Sequence, residues 1–379
     1  MGWTMKNVLV AMSGGVDSSV AAFLLSQQGY SVTGVTMRLC EDYNDSDDVL
    51  GLGPVSDPDC ENEPTTVDLA RSVAESLGAD FMVVDYRNEF QEMVVEPFIR
   101  AYEEGRTPNP CIECNKCLKF DKLLDDSDEG FEDNPEEAPL LATGHYARLA
   151  KSDESSRIML RKAADLSKDQ SYFLYALSQE TLSRVIFPLG ELTKEEVRRI
   201  ADEQCYANAK KKDSQDICFI PDGDYASYIR RYTGRDYPEG DFVDLDGNVL
   251  GRHKGVINYT VGQRKGLGLS LKKPMYVYRL DPDRNQVVLA DDEQLYSRTA
   301  TVSDFNWVSK DEEAEGASFR ALGRIRYRHK EAPCTVTVLE DDKVRVEFDE
   351  PQRAITSGQA LVLYDIETDE YVLGGGTIE

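Results

Sequence analysis

The chain has 379 residues, 41% hydrophobic and 30% charged, the composition of a globular protein long enough for two or three domains with their own cores. Its apolar runs fall short of the roughly 20 residues that span a bilayer, "NVLVAM" is too short for a signal-peptide core, and eight cysteines without a secretory signal favour a reducing cytoplasm over a disulfide framework. The net charge of −27 argues against a polyanionic partner only on average, because 18 of the acidic residues fall in two stretches without Lys or Arg, 41–68 and 125–137. These read as solvated loops. Outside them Arg161–Lys162, Lys210–Lys212, Arg264–Lys265 and residues 324–330 form basic clusters that can meet a polyanion locally.

The first half alternates strand and helix patterns. "NVLVAM" reads as a buried strand, Val16 to about Gln28 as an apolar-periodic helix, "YSVTGVTMRL" as a strand and Thr65–Leu77 as a helix. "DFMVVD" is a third strand, residues 88–104 a helix, and "PLLATGHY" a fourth strand after the second acidic stretch. Strands alternating with helices of this length predict an α/β domain with a doubly wound parallel sheet, whose ligands bind at the carboxyl ends of the strands. Past Cys218 the pattern changes. Residues 223–292 are glycine-rich with short strands, a small central domain. From 293 to 379, runs such as "CTVTVLEDDKVRVEFDEP" alternate with period two around a turn at Asp341–Asp342, which predicts a C-terminal all-β barrel or sandwich. The catalytic domain is thereby expected to span residues 1–222.

Between the first strand and helix stands Ser13-Gly14-Gly15-Val16-Asp17-Ser18. Two glycines permit a sharp turn and a close backbone approach, and the following helix aims free N–H groups and its positive end at that turn, which suits a phosphate. Ser13, Ser18 and Ser19 add hydroxyl donors. No lysine follows the glycines, so this is not the G-x-x-x-x-G-K-[ST] loop. S-G-G-x-D-S directly after strand one resembles the loop of the ATP-pyrophosphatase superfamily (PP-loop enzymes), whose members cleave ATP to AMP and pyrophosphate while adenylating a substrate oxygen. Asp17 is expected to orient Mg²⁺ with the pyrophosphate.

"TPNPCIECNKCLKF" carries Cys111, Cys114 and Cys117, and "KKKDSQDICFI" carries Cys218. The Pro-Asn-Pro turn favours a stiff, exposed loop before a helix begun by "NKCLKF". A thiol near a helix N-terminus is acidified by the dipole. Cys117, one turn on, reads as packing. C-x-x-C by itself fits a zinc knuckle, a redox pair or an iron–sulfur ligand set, and the three histidines form no H-x₃₋₅-H pair to complete a zinc site.

"AMSGGVDSSV", "GRTPNPC..CN", "ATGHYAR", "SKDQSYFLYALS", "FPLGELTKEEVR", "KKKDSQDICFIP", "YTVGQRKGLGL", "RIRYRHKEAPC" and "GGGTIE" stand in the order of the tRNA-specific 2-thiouridylase family, which the chain resembles from about residue 6 onward. The resemblance implies adenylation of the C2 carbonyl oxygen of a wobble uridine, then displacement of AMP by sulfur. It implies ATP contacts at Ala11, Met12, Ser13, Gly14, Gly15, Val16, Asp17, Ser18, Met37 and Gly144. Asn109, Pro110 and Cys111 would touch the target base. Cys114 would be the nucleophile, and Cys218 the carrier of a persulfide delivered by a partner sulfurtransferase or relay, with inorganic sulfide as the other source. Lys168, Asp169, Gln170, Arg326, Tyr327, His145 and Gln359 would contact tRNA.

One position departs from the family. The familiar pattern is P-N-P-D-x-x-C, and Cys111 stands where the aspartate is expected. Losing that carboxylate removes a base or orienting acceptor near the uridine. Gaining a thiol leaves two mechanisms open: a persulfide enzyme, or a [4Fe–4S] cluster on Cys111, Cys114 and Cys218 with an open iron position for sulfide. Two other functions are weighed. A PP-loop ligase or amidating enzyme would not need Cys114 and Cys218, and a non-catalytic metal- or RNA-binding module would not need the intact phosphate loop.

Overall fold

A computed structural model describes residues 6–40, 64–152, 156–209 and 217–379. The first acidic stretch up to residue 63, Cys60, Lys210–Lys212 and Asp213–Asp216 lie outside the described residues. The chain opens with strand β1 (Asn7–Ala11), helix α1 (Val16–Gln27), strand β2 (Ser31–Arg38), helix α2 (Thr66–Ser76) and strand β3 (Asp80–Asp85). Thr65 starts α2 with a reciprocal capping box to Asp68. A helical segment at 87–103 follows, then a second at 110–128 and strand β4 (Leu140–Thr143). Strands β5 (Arg148–Lys151) and β6 (Ile158–Arg161) form a hairpin, and β7 (Val185–Ile186) ends the domain's sheet.

The first sheet is parallel throughout, in the order β3-β2-β1-β4-β7. Strand order reverses between β1 and β4, so their carboxyl ends flank the crevice where such sheets bind ligands. Helix α1 buries Val16, Val20, Ala21, Ala22 and Leu25 on this sheet, in a core that includes Val8, Val10 and Ala142.

The central domain sets β8 (Gly240–Val243), β9 (Val249–His253), β10 (Tyr276–Asp281) and β11 (Gln286–Ala290) in the order β10-β11-β8-β9. The last six strands, β12 (Tyr296–Trp307), β13 (Ser318–Arg324), β14 (Ala332–Val338), β15 (Val344–Arg353), β16 (Ala360–Tyr364) and β17 (Val372–Ile378), close into a barrel ordered β12-β15-β14-β13-β16-β17. The Asp341–Asp342 turn is there, both residues at positive φ.

The barrel is not a pendant module. Val308, Ala360, Val362, Tyr364 and Val372 share one buried cluster with Leu9, Leu141, Tyr172 and Leu174 of the catalytic domain. Polar ties cross the same seam: Tyr172 donates to the Ala360 carbonyl at 2.9 Å, Asn306 Nδ2 to the Tyr175 carbonyl at 2.6 Å, and Lys162 to Asp369 at 2.7 Å.

Two expectations change. The second acidic stretch begins inside a helix, where Asp126 accepts from Tyr86 and Lys122 and Asp128 holds Arg184, so its first part is a paired surface and not a free loop. The thiol-bearing helix also starts earlier than expected. Asn109 caps it by accepting from the Cys111 N–H at 3.2 Å, and Pro110 takes the first helical position, where its fixed φ fits and its missing N–H costs nothing. Cys111 and Cys114 are therefore helical residues.

Candidate active site

The phosphate turn sits at the carboxyl end of β1. Gly14 has φ +66°, and a Cβ there would lie 2.4 Å from the Thr66 carbonyl oxygen, so only glycine closes this turn. Gly15 is the N-cap of α1, and no side chain caps the helix. Its first N–H groups are therefore the kind of anion-binding end that a phosphate fits. Ser18 Oγ accepts from the Ser13 N–H at 3.2 Å, and Ser18 and Ser19 donate to the Gly15 carbonyl at 3.2 and 2.9 Å, which holds the turn's shape. Met12 is buried, its carbonyl accepting from the Thr36 hydroxyl at 2.8 Å, and Ala11 and Met37 lie at the carboxyl ends of β1 and β2.

Gly144 faces this turn from the end of β4. A Cβ on it would stand 2.7 Å from the Ser18 nitrogen, so the two loops are in backbone contact. Two residues on, Tyr146 donates its hydroxyl to Asp17 Oδ1 at 2.7 Å, and Lys194 reaches both Asp17 oxygens at 2.7 and 2.8 Å. Asp17 is thus paired with a lysine that is itself buried. Asn208, also buried, donates to the Gly14 carbonyl and to Ser19 Oγ at 3.0 Å. Lys194 and Asn208 escaped the sequence reading. The signal available was "LTKEEVR", a capping box in which Thr193 and Glu196 start the helix Lys194–Glu203 and so fix Lys194 at its first position.

The thiols gather on the other side of the loop after β4. The helical segment at 110–128 is π-helical over Cys114–Lys122. Cys114 is buried, and burial pushes its thiol up to about 11. Burial raises Cys111 and Cys218 as well, and at all three thiols Lys119 is the foremost opposing charge. The expected acidification of Cys114 by the helix end is therefore outweighed by desolvation in the resting protein. Cys218 has an exposed surface although much protein crowds its thiol, so it is the most accessible of the three, with Cys111 half-exposed. Cys117 does not pack into the core: it is half-exposed and lies 3.8 Å from Glu113 Oε2. The seven described cysteines are free.

His145 joins the two halves. Its Nδ1 lies 2.8 Å from Thr143 Oγ1, its ring meets Phe120 of the thiol helix at 5.8 Å, and burial with the Lys119 charge lowers its pKa to about 3. It is a neutral imidazole at any physiological pH.

The cluster expectation finds no support. Among the described residues, no group of three His, Cys, Asp or Glu side chains is arranged to hold a metal ion, Cys111, Cys114 and Cys218 included.

The residues expected at tRNA converge from distant parts of the chain. Gln170 and Tyr146 exchange two hydrogen bonds at 2.9 Å. Tyr327 donates to the Asp169 carbonyl at 3.2 Å and packs its ring, tilted by 44°, on Phe173, with centroids 4.4 Å apart. Gln359 donates to the Thr107 carbonyl at 2.7 Å, beside Asn109 and Pro110. Lys168 is half-exposed on this face. Asp169 is not a surface group: it is buried and accepts from Ala163 N–H, Ser171 N–H and the Ser171 hydroxyl, so it shapes the turn that presents its neighbours. Arg326 is half-buried, donating to the Arg353 and Ala354 carbonyls. A cleft of about 200 Å³ abuts Asn109 and Pro110, lined also by Arg100, Arg106, Tyr175 and Gly358 and by none of the three thiols.

Family models match the chain along most of its length: a tRNA methyl transferase HUP domain at residues 6–222, a tRNA methyl transferase PRC-barrel domain at 226–291 and an aminomethyltransferase β-barrel domain at 297–378. Curated relatives called tRNA-specific 2-thiouridylase MnmA are 44% identical over 374 residues in Clostridioides difficile, 45% over 375 in Acetivibrio thermocellus and 46% over 373 in Syntrophotalea carbinolica. These matches cover 98–99% of this chain and 98–99% of each relative.

Proposed function

We propose that this chain, which belongs to the tRNA-specific 2-thiouridylase family, thiolates the wobble uridine of tRNA in two steps, using ATP to adenylate the C2 carbonyl oxygen and then exchanging AMP for sulfur. The family models are described as methyltransferase domains, whereas the full-length relatives are thiouridylases. The thiouridylase names carry more weight because they cover the whole chain, and because an S-G-G-x-D-S turn before an uncapped helix suits ATP phosphates.

One observation carries the reading. The loop after β4 touches the phosphate turn through Tyr146 and Gly144 and the thiol helix through His145. An adenylate formed on one side of that loop has a sulfur nucleophile on the other. Asp17 and Lys194 hold the turn's geometry, and their pairing keeps a buried lysine beside the phosphate turn. Mg²⁺ would enter with ATP, its ligands supplied chiefly by phosphate oxygens.

Sulfur arrives at Cys218, the exposed thiol, as a persulfide from a donor protein; Cys114, buried, meets only what is already inside. The terminal sulfur of the Cys218 persulfide attacks C2, the C2–O bond breaks, and its electron pair leaves with AMP. The Cys114 thiolate then attacks the Cys218 sulfur. A Cys114–Cys218 disulfide forms, the S–S bond to the substrate sulfur breaks, and its pair leaves on 2-thiouridine. A dithiol reductant restores both thiols. Asn109, Pro110 and Cys111 border the base, while Lys168, Gln170, Arg326, Tyr327, His145 and Gln359 line the tRNA approach, with Asp169 supporting them from beneath.

The test incubates the protein, prepared free of iron, with ATP, a persulfide donor and tRNA bearing a wobble uridine, and follows AMP and 2-thiouridine by mass spectrometry. Cys114→Ser should form AMP without 2-thiouridine. Absence of tRNA-dependent AMP from the unaltered protein would refute the adenylation step; a strict need for iron would overturn the persulfide route.

A further inference from the structure

Lys162 and Lys194 are buried and Lys119 is part-buried, but their surroundings differ. Lys162 lies 2.7 Å from Asp369 and 3.2 Å from Glu331, and Lys194 lies 2.7 Å from Asp17. Among the described residues Lys119 has no carboxylate partner. Its ammonium donates to Asn115 Oδ1 at 3.1 Å, and the titratable groups that face it are Cys111, Cys114, Cys218 and the neutral His145. A cation partly withdrawn from water with no carboxylate beside it favours a neighbouring anion. The thiols are the groups placed to supply one.

The π-helical turn creates this arrangement. Five residues along an α-helix leave two side chains about 140° apart around the axis. In a π-helix, whose i→i+5 bonds widen the turn to about 4.4 residues, the same separation falls to about 50°, so Lys119 lies nearer the Cys114 side of the helix than an α-helix would place it. Asn115 fixes the ammonium from below. It is 3% exposed, and its Nδ2 donates to the Phe173 carbonyl at 3.4 Å, so the amide is oriented by a residue outside the helix.

We propose that Lys119 is the counter-ion of the sulfur anion in this site, a positioning residue that favours the charged form of the reacting cysteine sulfur, as thiolate or persulfide, against the opposing effect of the surrounding protein. The proposal rests on the thiolation reading above. It also accounts for what Cys111 changes. Position 111 lies within the field of Lys119, so the aspartate of the familiar pattern would partly neutralise the ammonium, whereas a thiol leaves its charge for the sulfur. The other groups facing Cys114 are Cys111, Cys117 and Cys218, and His145 lies across from Lys119 on the loop after β4, neutral.

The test reads thiol reactivity without turnover. Each cysteine's alkylation rate by iodoacetamide is followed by peptide mass spectrometry from pH 7 to 10 in the ATP-free protein, together with AMP and 2-thiouridine yields. Lys119→Met should slow alkylation of Cys114 and Cys218 about tenfold at pH 8.5, equivalent to about 1.4 kcal/mol, while tRNA-dependent AMP formation persists and 2-thiouridine falls by a similar factor. Lys119→Arg should recover most of the alkylation rate. Cys111→Asp, with Lys119 retained, should slow Cys114 alkylation in the same direction and serves if Lys119→Met fails to fold. Alkylation profiles in Lys119→Met or Cys111→Asp identical to those of the unaltered protein would overturn the proposal. Failure of the unaltered protein to make 2-thiouridine would instead remove the thiolation reading and leave the alkylation result standing.

Discussion

Asp17→Asn would leave Lys194 buried beside Tyr146 with a neutral amide in place of its counter-charge. Breaking a pair whose lysine is buried and whose carboxylate is partly exposed should cost about 2–3 kcal/mol, measured by urea unfolding, and should lower tRNA-dependent AMP formation at least a hundredfold. The double variant Asp17→Asn with Lys194→Met should recover part of the lost stability without activity, since it removes the cation that had lost the Asp17 carboxylate. His145 gives a pH prediction. Its folded pKa of about 3 lies below the ordinary 6.5, so its stabilising share is complete above pH 6.5 and is lost as pH falls towards 3. His145→Gln should flatten the acid limb of the stability profile between pH 6 and 4, though not abolish it, because burial also lowers His253 and His329. At this scale the sequence revealed residues that advertise themselves by local spacing, such as Asp17 in its turn and Cys114 in its C-x-x-C. Lys194 and Asn208 stayed hidden because their partners lie 177 and 194 positions away.

Elements were more legible than residues. Period-two and period-3.6 patterns marked the strands and helices from β1 to β3, and the parallel sheet followed from their alternation. The start of the thiol helix was misread because Pro-Asn-Pro serves equally as a turn and as an N-cap followed by proline at N1, and only the Asn109–Cys111 hydrogen bond separates the two. The π-helical stretch had no readable mark. The contact between the β4 loop and α1 yields a clean test. Gly144→Ala would put a methyl 2.7 Å from the Ser18 nitrogen, prying the two loops apart. ATP binding by calorimetry should weaken at least tenfold while the unfolding midpoint moves little, because the clash lies at the crevice and not in the sheet.

At the scale of the whole molecule, the catalytic domain and barrel share one core, so truncation after residue 292 should leave Tyr172 and Leu174 uncovered. The truncated protein should fail to show a cooperative thermal transition, whereas the full chain should melt these two parts together. Charge at this scale predicts strong salt dependence of tRNA binding, because phosphate contacts release counterions. Lys330→Ala, at an exposed position, should weaken tRNA affinity and reduce the salt slope without altering ATP binding. Arg326→Ala should do so and also destabilise the barrel, by about 1.5–3 kcal/mol, since its guanidinium holds the Arg353 and Ala354 carbonyls. The three-part organisation was readable from composition and period; the shared core was not, because nothing local in "ALVLY" distinguishes a strand facing the barrel's interior from one that also faces another domain.

The seam at Thr107 carries a consequence for synthesis. Thr107 donates its N–H to the Ser357 carbonyl and receives the Gln359 amide, and the barrel closes when β17 pairs with β12 around Ile378. On the ribosome, domains fold in the order in which they emerge, so the segment leading into the thiol helix stays unbraced until about 250 more residues have been translated. A nascent chain therefore lacks this brace on its cysteine helix until the barrel has emerged. Under the proposed function, sulfur transfer is therefore expected of released full-length chains and not of ribosome-bound intermediates.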